Sequence, residues 1–248
     1  MDAPGSGTDQ PVSSWAERAA ARSPAVERAR VRSALRAQQI LEAAFRLIAV
    51  KGSDFTAVEL AKEAGIAIQT FYKHFGSKDQ VLLAVLEQLI STTCTRLLEA
   101  GRQLPDPIAR LRSYVMGLVL HIGPEGMSTP VARFVATEHW RLQQTHPVEL
   151  AAIIRPFTDL LQHELQAAEA GGLLAPTGVG DDAWLTTQLV VAVFHHYAFS
   201  TSEKSATEIA EGLWAFCLGA WGGRPAETSR RDVRRSTTKE KIHATRAT

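Results

Sequence analysis

The sequence predicts an all-α protein, with a small three-helix domain near the N-terminus and a larger helical domain after it. Between about residues 33 and 222, apolar residues recur at three- and four-residue spacing, which places them on one face of a helix. Stretches that alternate apolar and polar residues, as a half-buried strand would, are missing from this region. With 248 residues, 45% of them hydrophobic, the chain has enough apolar material for a substantial core.

Capping residues, glycines and prolines predict where the helices begin and end. Thr56 with Glu59, and Ser77 with Gln80, have the spacing of a capping box. Pro156 falls inside a periodic segment, where it would either kink the helix or end it. The predicted helices are about 33–50, 56–65, 68–74, 77–100, 107–121, 129–144, 147–170, 181–201 and 205–221.

The two ends of the chain differ in composition from the region between them. Residues 1–32 are predicted to be a flexible basic arm and residues 223–248 a basic disordered tail. The segment from Arg18 to Arg36 contains six arginines and one glutamate, although the net charge of the whole chain is only +1. The arm therefore either follows the minor groove and phosphates of DNA or is simply a solvated leader.

Several classes of protein are disfavoured by what the sequence lacks. It has no zinc-binding His-Glu-x-x-His motif, no glycine-rich phosphate loop and no Gly-x-Ser-x-Gly elbow. We therefore predict no catalytic residues, no metal and no cofactor, and a protein that is not an enzyme. Cys94 and Cys217 lie in apolar surroundings and are expected to be buried thiols in a reducing compartment. Neither a signal peptide nor a membrane span is expected, which favours a cytoplasmic location.

Residues 55–78 have the features of a helix-turn-helix. Two short helices meet at a three-residue turn that begins with Gly65, where glycine tolerates a positive φ angle. Ala61 is small enough for the two helices to touch, and the second helix carries exposed small or polar side chains. The alternative interpretation is an ordinary pair of short core helices.

The same region resembles the DNA-binding domain of the TetR family of transcriptional regulators. The resemblance covers Ala37 to Leu89, about fifty residues, and beyond it only helix order and length are similar. The matching motifs are Ile40-Leu41-Glu42-Ala43-Ala44, Gly52, Thr56, Ala64-Gly65-Ile66, Thr70-Phe71-Tyr72-Lys73-His74-Phe75 and Ser77-Lys78.

The resemblance implies a set of DNA contacts within a domain spanning residues 33–80. It implies that the phosphate backbone is contacted by Thr56, Thr70, Tyr72, His74 and Lys78. Base edges would then be read by Ile68, Gln69 and Lys73. The expected function is a repressor that binds a palindromic operator in double-stranded DNA as a homodimer and is released by a small, mainly apolar effector. The alternatives are an activator of the same fold and a non-specific architectural protein.

Residues 81–222 are predicted to form the effector-binding and dimerisation domain. The helices at 181–201 and 205–221 are apolar on nearly every face, so one face should meet a second copy of the chain. In the alternative, both faces are buried within the monomer. The predicted dimer-interface residues are Trp184, Phe194, Trp214 and Trp221. The predicted effector pocket, which follows from the resemblance, comprises Tyr114, Phe134, Trp140 and Phe157.

Overall fold

The computed structural model describes residues 23–121, 129–200 and 203–223, and these ranges contain nine helices and no strand. The all-α fold is therefore confirmed. The helices are α1 (Pro24–Lys51), α2 (Ala57–Glu63), α3 (Ile68–His74), α4 (Lys78–Gly101), α5 (Pro107–His121), α6 (Pro130–Thr145), α7 (Pro147–Ala170), α8 (Val179–Phe199) and α9 (Ala206–Ala220).

Helix α1 begins nine residues earlier than the sequence analysis predicted. Ser23 is its N-cap, with the Ser23 hydroxyl accepting a hydrogen bond from the Ala25 amide at 3.3 Å. Pro24 occupies the first turn, where its fixed φ favours helix and its missing amide hydrogen costs nothing. The prediction of a flexible arm up to residue 32 is thus wrong for residues 24–32. Residues 1–22 and 224–248, which hold the rest of the arm and nearly all of the predicted tail, lie outside the described residues.

Helix α3 has the predicted bounds, whereas α2 begins one residue later and ends two residues earlier than predicted, with Thr56 as its N-cap. The capping box at Thr56 is complete, because the Thr56 hydroxyl accepts from the Glu59 amide and the Glu59 carboxylate accepts from the Thr56 amide. Gly65 has a φ of 65°, which only glycine adopts without strain. The turn that Gly65 makes sets the angle between α2 and α3.

The longer helices also lie close to their predicted positions. Pro156 lies inside α7, which continues for fourteen residues beyond it to Ala170. A second complete capping box, between Ser205 and Glu208, starts α9. Helix α4 is long and apolar enough to cross a membrane by length and composition alone, a test that buried core helices also pass. However, side chains such as Leu82 and Val85 on α4 are fully buried against other helices of the chain.

The buried side chains form two clusters that do not separate at residue 80. One cluster joins α5, α7, α8 and α9 with the C-terminal half of α4. The other joins the three N-terminal helices to the start of α4, and it also contains Phe134 and Leu142 of α6 and Phe194 of α8. Helix α6 is therefore packed into the core of the N-terminal helices, although it belongs to the C-terminal region of the sequence.

Candidate DNA-binding surface and effector site

Helix α3 is held to the protein by one fully buried side chain, and three of its other side chains are exposed. Phe71 has no exposed surface and stacks on Phe75, with ring centroids 6.4 Å apart. Tyr72 is 53% exposed although it is a large aromatic residue. Gln69 and Lys73 are exposed beside it, while Ile68, Thr70 and His74 are half-buried. The structure thus brings six of the eight predicted DNA-contacting residues together on one short helix.

Side-chain bonds fix the orientation of α2 and α3 against α1. The Gln39 amide donates to the Ala64 carbonyl at 2.6 Å, which caps the end of α2. Arg46 pairs with Glu63 at 2.7 Å, and the Ser33 hydroxyl lies 3.5 Å from Nδ1 of His74 at the end of α3. The position of the exposed face of α3 is therefore set by the same helix that begins at Pro24.

The other two predicted DNA contacts, Thr56 and Lys78, have partners within the chain. The Thr56 hydroxyl belongs to the capping box, and hydrogen bonds from Lys51 and Thr56 lower the pKa of Glu59 to about 2. The Lys78 ammonium donates to the Ser53 carbonyl at 2.5 Å and lies 4.7 Å from the centroid of the Phe55 ring. Lys78 is half-buried and fastens the start of α4 to the turn before α2. We therefore assign it the role of positioning α4, ahead of the predicted role in DNA contact.

A cavity and a groove lie next to each other in the C-terminal region. The cavity, of about 40 Å³, is lined by apolar atoms of α4, α5, α6, α7 and α8, Phe157 among them. The groove, of about 520 Å³, is open to solvent between α6, α7 and α8. Trp140 and Trp184 line the groove and are 66% and 55% exposed. The volume of the groove lies in the range of small-molecule sites.

Two histidines stand between the cavity and the groove. His139 of α6 and His195 of α8 line both spaces, and their ring centroids are 4.7 Å apart. Burial, with a smaller contribution from His195, lowers the pKa of His139 to about 4, and burial also lowers the pKa of His195. Both rings are therefore neutral at pH 7. Nδ1 of His139 is buried without a hydrogen-bond partner.

The structure separates the four residues predicted for the effector pocket. Phe157 lines the cavity and Trp140 lines the groove. Tyr114 and Phe134 line neither space and are buried in the two core clusters. Their inclusion needs correction, because an aromatic spacing in a helix does not distinguish a core side chain from a pocket side chain. The sequence analysis did not name His139 and His195 as pocket residues, because a histidine on an apolar helix gives no signal of which space it faces.

Three of the four residues predicted for a dimer interface are buried within the chain. Trp214 and Trp221 stack edge to face in the C-terminal core, with centroids 5.9 Å apart, and Phe194 lines the cavity. They are therefore unavailable to a partner, and only Trp184 is exposed. Besides Trp184, the large apolar side chains that α8 and α9 expose are Leu185, Phe199 and Phe216. These residues could have been predicted from their angular positions around the helix axis, because they do not share the side of the helix that carries the buried residues.

Helix α6 connects the groove to the start of α4 through one arginine. The Arg141 guanidinium donates two hydrogen bonds to the Asp79 carboxylate, at 2.7 and 3.0 Å, and a third to Glu138 at 2.7 Å. Hydrogen bonds from Arg141 lower the pKa of Asp79. Glu138 is buried, and Asp79 lies in the first turn of α4, directly after the helix-turn-helix. Arg141 is thus a polar link between the two regions.

Among the described residues, no group of three or more histidine, cysteine or acidic side chains could hold a metal ion. Cys94 and Cys217 are free and buried, and burial raises the pKa of each thiol to about 11. Their thiols are therefore protonated at neutral pH and are poor nucleophiles.

This architecture defines a helix-turn-helix protein with a helical C-terminal domain. Residues 40–85 match the family model described as bacterial regulatory proteins, tetR family. The N-terminal domain therefore belongs to the TetR family of transcriptional regulators, as the sequence motifs indicated.

Similar proteins agree with this assignment. The regulator BetI of Brucella canis is 32% identical over 82 residues, which span 33% of this chain and 41% of BetI. The regulator HbdR of an Aromatoleum species is 23% identical over 188 residues, or 72% of this chain and 77% of HbdR. The structure of Thermus thermophilus FadR with lauroyl-CoA has a TM-score of 0.60 at 21% identity, covering 78% of this chain and 98% of FadR. The last likeness shows that the fold is shared.

Proposed function

We propose that the protein binds a palindromic operator in double-stranded DNA as a homodimer and represses transcription until a small effector releases it. The observation that carries the proposal is α3, whose single buried anchor, Phe71, leaves Gln69, Tyr72 and Lys73 exposed on one helix. A short helix with polar, outward-facing side chains fits the major groove of DNA. Operator binding would place the protein in the cytoplasm, on the bacterial chromosome.

The chemistry of the side chains on α3 divides them into two roles. The Tyr72 hydroxyl, Thr70 and His74 can donate hydrogen bonds to phosphate oxygens, which fixes the register but carries no sequence information. Gln69 can bond in bidentate fashion to adenine and Lys73 to guanine, while Ile68 can contact a thymine methyl group. Base preference would therefore depend chiefly on Gln69 and Lys73.

The exposed faces of α8 and α9 supply a surface for a second copy. Phe216 is 67% exposed, and Gly212 and Gly219 lie on the same side of α9, with open space where a side chain would project. Leu185 and Phe199 are exposed on α8. Small residues beside large apolar ones allow two helices to approach closely and bury the aromatic side chains. A twofold dimer would set two copies of α3 about 34–36 Å apart, or farther if the operator is long.

Effector release would act through α6. This helix contributes His139 and Trp140 to the candidate effector site, packs Phe134 and Leu142 into the N-terminal core, and holds Asp79 through Arg141. A ligand that shifts α6 would shift the start of α4 and with it α3. Release requires the ligand to bind more tightly to the conformation that does not bind DNA. That Thermus FadR was solved with lauroyl-CoA supports a small-molecule effector.

The N-terminal half of α1 extends the proposed DNA-binding surface. Residues 24–36 are all exposed, and Arg28, Arg32 and Arg36 recur every four residues along one side of the helix. Since Ser33 lies beside His74, this basic stretch passes the end of α3 and continues for roughly 14 Å at the helical rise. We therefore expect the arginines of this stretch to contact phosphates outside the operator core.

Selection from a random duplex library tests the proposal. The purified protein is mixed with the library at physiological salt together with competitor DNA, and the bound duplexes are sequenced. We expect enrichment of a twofold-symmetric motif. If a folded, dimeric protein enriches no motif, the proposed function is wrong, and a non-specific DNA-binding role takes its place if duplexes are nonetheless retained. Coupling the selected site to a reporter gene distinguishes repression from activation.

A further inference from the structure

One side chain of α1 is hydrogen-bonded at both of its polar atoms, between an exposed arginine and the turn of the helix-turn-helix. The Gln39 amide nitrogen donates to the Ala64 carbonyl at 2.6 Å, and the Gln39 amide oxygen accepts from the Arg36 guanidinium at 2.7 Å. A guanidinium only donates and a carbonyl only accepts, so these two partners fix which end of the amide faces which. Gln39 thus joins Arg36 to the backbone at the end of α2.

The carbonyl that Gln39 binds lies where the turn begins. Ala64 is the C-cap of α2, and Gly65, with its φ of 65°, starts the turn that leads into α3 at Ile68. Among the described residues the Ala64 carbonyl accepts no backbone hydrogen bond, as is usual for the last carbonyls of a helix. Gln39 supplies the missing bond, so the position of the turn depends on the position of Gln39.

Arg36, at the other end of this chain of bonds, lies on the proposed DNA-binding surface. It is exposed about one helical turn after Ser33, whose hydroxyl lies 3.5 Å from Nδ1 of His74 at the end of α3. A guanidinium carries five N–H donors, so Arg36 can bind a phosphate oxygen and Gln39 at the same time. The phosphate contact and the bond to Gln39 therefore do not compete.

We propose that Gln39 is a positioning residue for base reading, and that the Arg36–Gln39–Ala64 relay ties a phosphate contact to the orientation of α3. When Arg36 is held on a DNA phosphate, Gln39 is held with it and fixes the turn from which α3 starts. Base edges are read only when donors and acceptors align, whereas phosphate contacts carry no sequence information. Loss of the relay therefore lowers discrimination between base sequences more than it lowers overall DNA affinity. The proposal rests on the proposed function and adds a determinant of specificity outside α3.

Binding of the full-length protein to two duplexes tests the proposal. Fluorescence anisotropy gives the affinity for the operator that the wild type selects and for a scrambled duplex of the same length. Gln39→Met keeps the length of the side chain but removes both hydrogen bonds. We expect it to lower affinity for the operator by about 3- to 10-fold, the range for a lost hydrogen bond, and affinity for the scrambled duplex by less than about twofold. An equal decrease for both duplexes, which partial unfolding would cause, or no decrease at all would overturn the proposal.

A glutamine next to Gln39 provides the matched control. Gln38 is exposed on the same helix, and its amide donates to Glu42 at 3.2 Å instead of to the turn. Gln38→Met should therefore leave both affinities unchanged, and a decrease equal to that of Gln39→Met would overturn the proposal. Circular dichroism confirms that each variant is folded.

The exposed end of the relay is tested without altering a half-buried side chain. Arg36→Ala should lower affinity for both duplexes, because it removes a phosphate contact, but it should lower affinity for the operator severalfold more. Arg28→Ala removes a phosphate contact about two helical turns before Arg36, so it should lower both affinities by the same factor. If the two variants reduce discrimination equally, Arg36 does not act through Gln39.

The double variant shows whether the two residues act as one unit. Arg36→Ala combined with Gln39→Met should reduce the ratio of operator affinity to scrambled affinity no further than Gln39→Met alone. A further reduction would mean that the residues act independently and would overturn the relay. If the wild type enriches no motif, the proposed function is wrong and the relay falls with it. If it enriches a motif that Gln39→Met binds equally well, only the relay is wrong.

Discussion

Helices α3 and α6 pack into the same core but use their surfaces in opposite ways. Helix α3 buries only Phe71 and turns its polar side chains to solvent. Helix α6 buries six residues, among them Phe134 and the acidic Glu138, while His139 and Trp140 line the groove and Arg141 pairs with Asp79. Under the proposed function, the comparison teaches that DNA contact would depend on what α3 exposes, whereas control of that contact would depend on what α6 holds in place.

The largest decrease in DNA affinity should come from separating the two copies of α3. Phe216→Arg places a charge on the exposed apolar face of α9, and we expect a monomer by analytical ultracentrifugation. DNA affinity should fall by about 100-fold or more, because one reading helix lacks the avidity of two. Arg155→Ala, an exposed change on another surface, is the control. If the variant remains dimeric, the dimer interface does not lie on α9.

Removing a phosphate contact from α3 should have the next largest effect. Tyr72→Ala should weaken binding to every duplex by roughly 10- to 100-fold, the range for a hydrogen bond to a charged group. Tyr72→Phe should show most of that decrease, since it removes only the hydroxyl. Fluorescence anisotropy on selected and scrambled duplexes measures both affinities. A decrease confined to the selected duplex would assign Tyr72 to base reading instead.

Breaking the link between α6 and α4 should reduce the response to effector more than it reduces DNA binding. Asp79→Asn keeps the shape of the side chain but weakens the pairing with Arg141. We expect stability to fall by about 1 kcal/mol, because Arg141 is 40% exposed and solvent screens the pair. The ligand concentration that releases DNA should change severalfold, and unchanged release would mean that the signal bypasses Arg141.

The pH dependence of stability offers a check on the same pair. Hydrogen bonds from Arg141 lower the Asp79 pKa, so the contribution of the pair is fully present above about pH 4, the ordinary aspartate range. It disappears as the pH falls through the lowered pKa. The stability difference between the wild type and Asp79→Asn should therefore be constant from about pH 5 to 8 and shrink below about pH 4 in urea titrations.

The smallest effect concerns the basic start of α1. Arg28→Ala with Arg32→Ala should lower the slope of log affinity against log salt by about 2, at roughly 0.9 for each phosphate that the protein no longer neutralises. The selected motif should stay the same, since phosphate binding carries no base information. Replacing two arginines outside this face, Arg102 and Arg155, by alanine provides the control. An unchanged slope would show that the DNA does not extend along α1 beyond Ser33.

The helix-turn-helix was predictable because the residues at its helix ends and turn have strong local reasons for their places. Thr56 and Gly65 satisfy capping and turn geometry that few other residues can satisfy, and α3 begins and ends at the predicted residues. The early start of α1 was missed because exposed arginines have no apolar periodicity, although Ser23 and Pro24 are a recognisable helix start.

The C-terminal site was less predictable because its helices are apolar on most faces. Trp214 and Trp221 are as hydrophobic as Trp184, yet only Trp184 is exposed. Their burial is decided by packing between helices that are distant in sequence, which periodicity within one helix does not specify. His139 and His195 meet for the same reason, from helices more than fifty residues apart.

The most direct test of the central claim, that α3 reads DNA bases as part of a symmetric dimer, is to repeat the duplex selection with Gln69→Ala. The account predicts that base preference changes at equivalent positions in both half-sites, while their spacing stays the same. Discrimination should weaken by about 1–3 kcal/mol at each changed position. An unchanged motif, or a change in only one half-site, would contradict the claim.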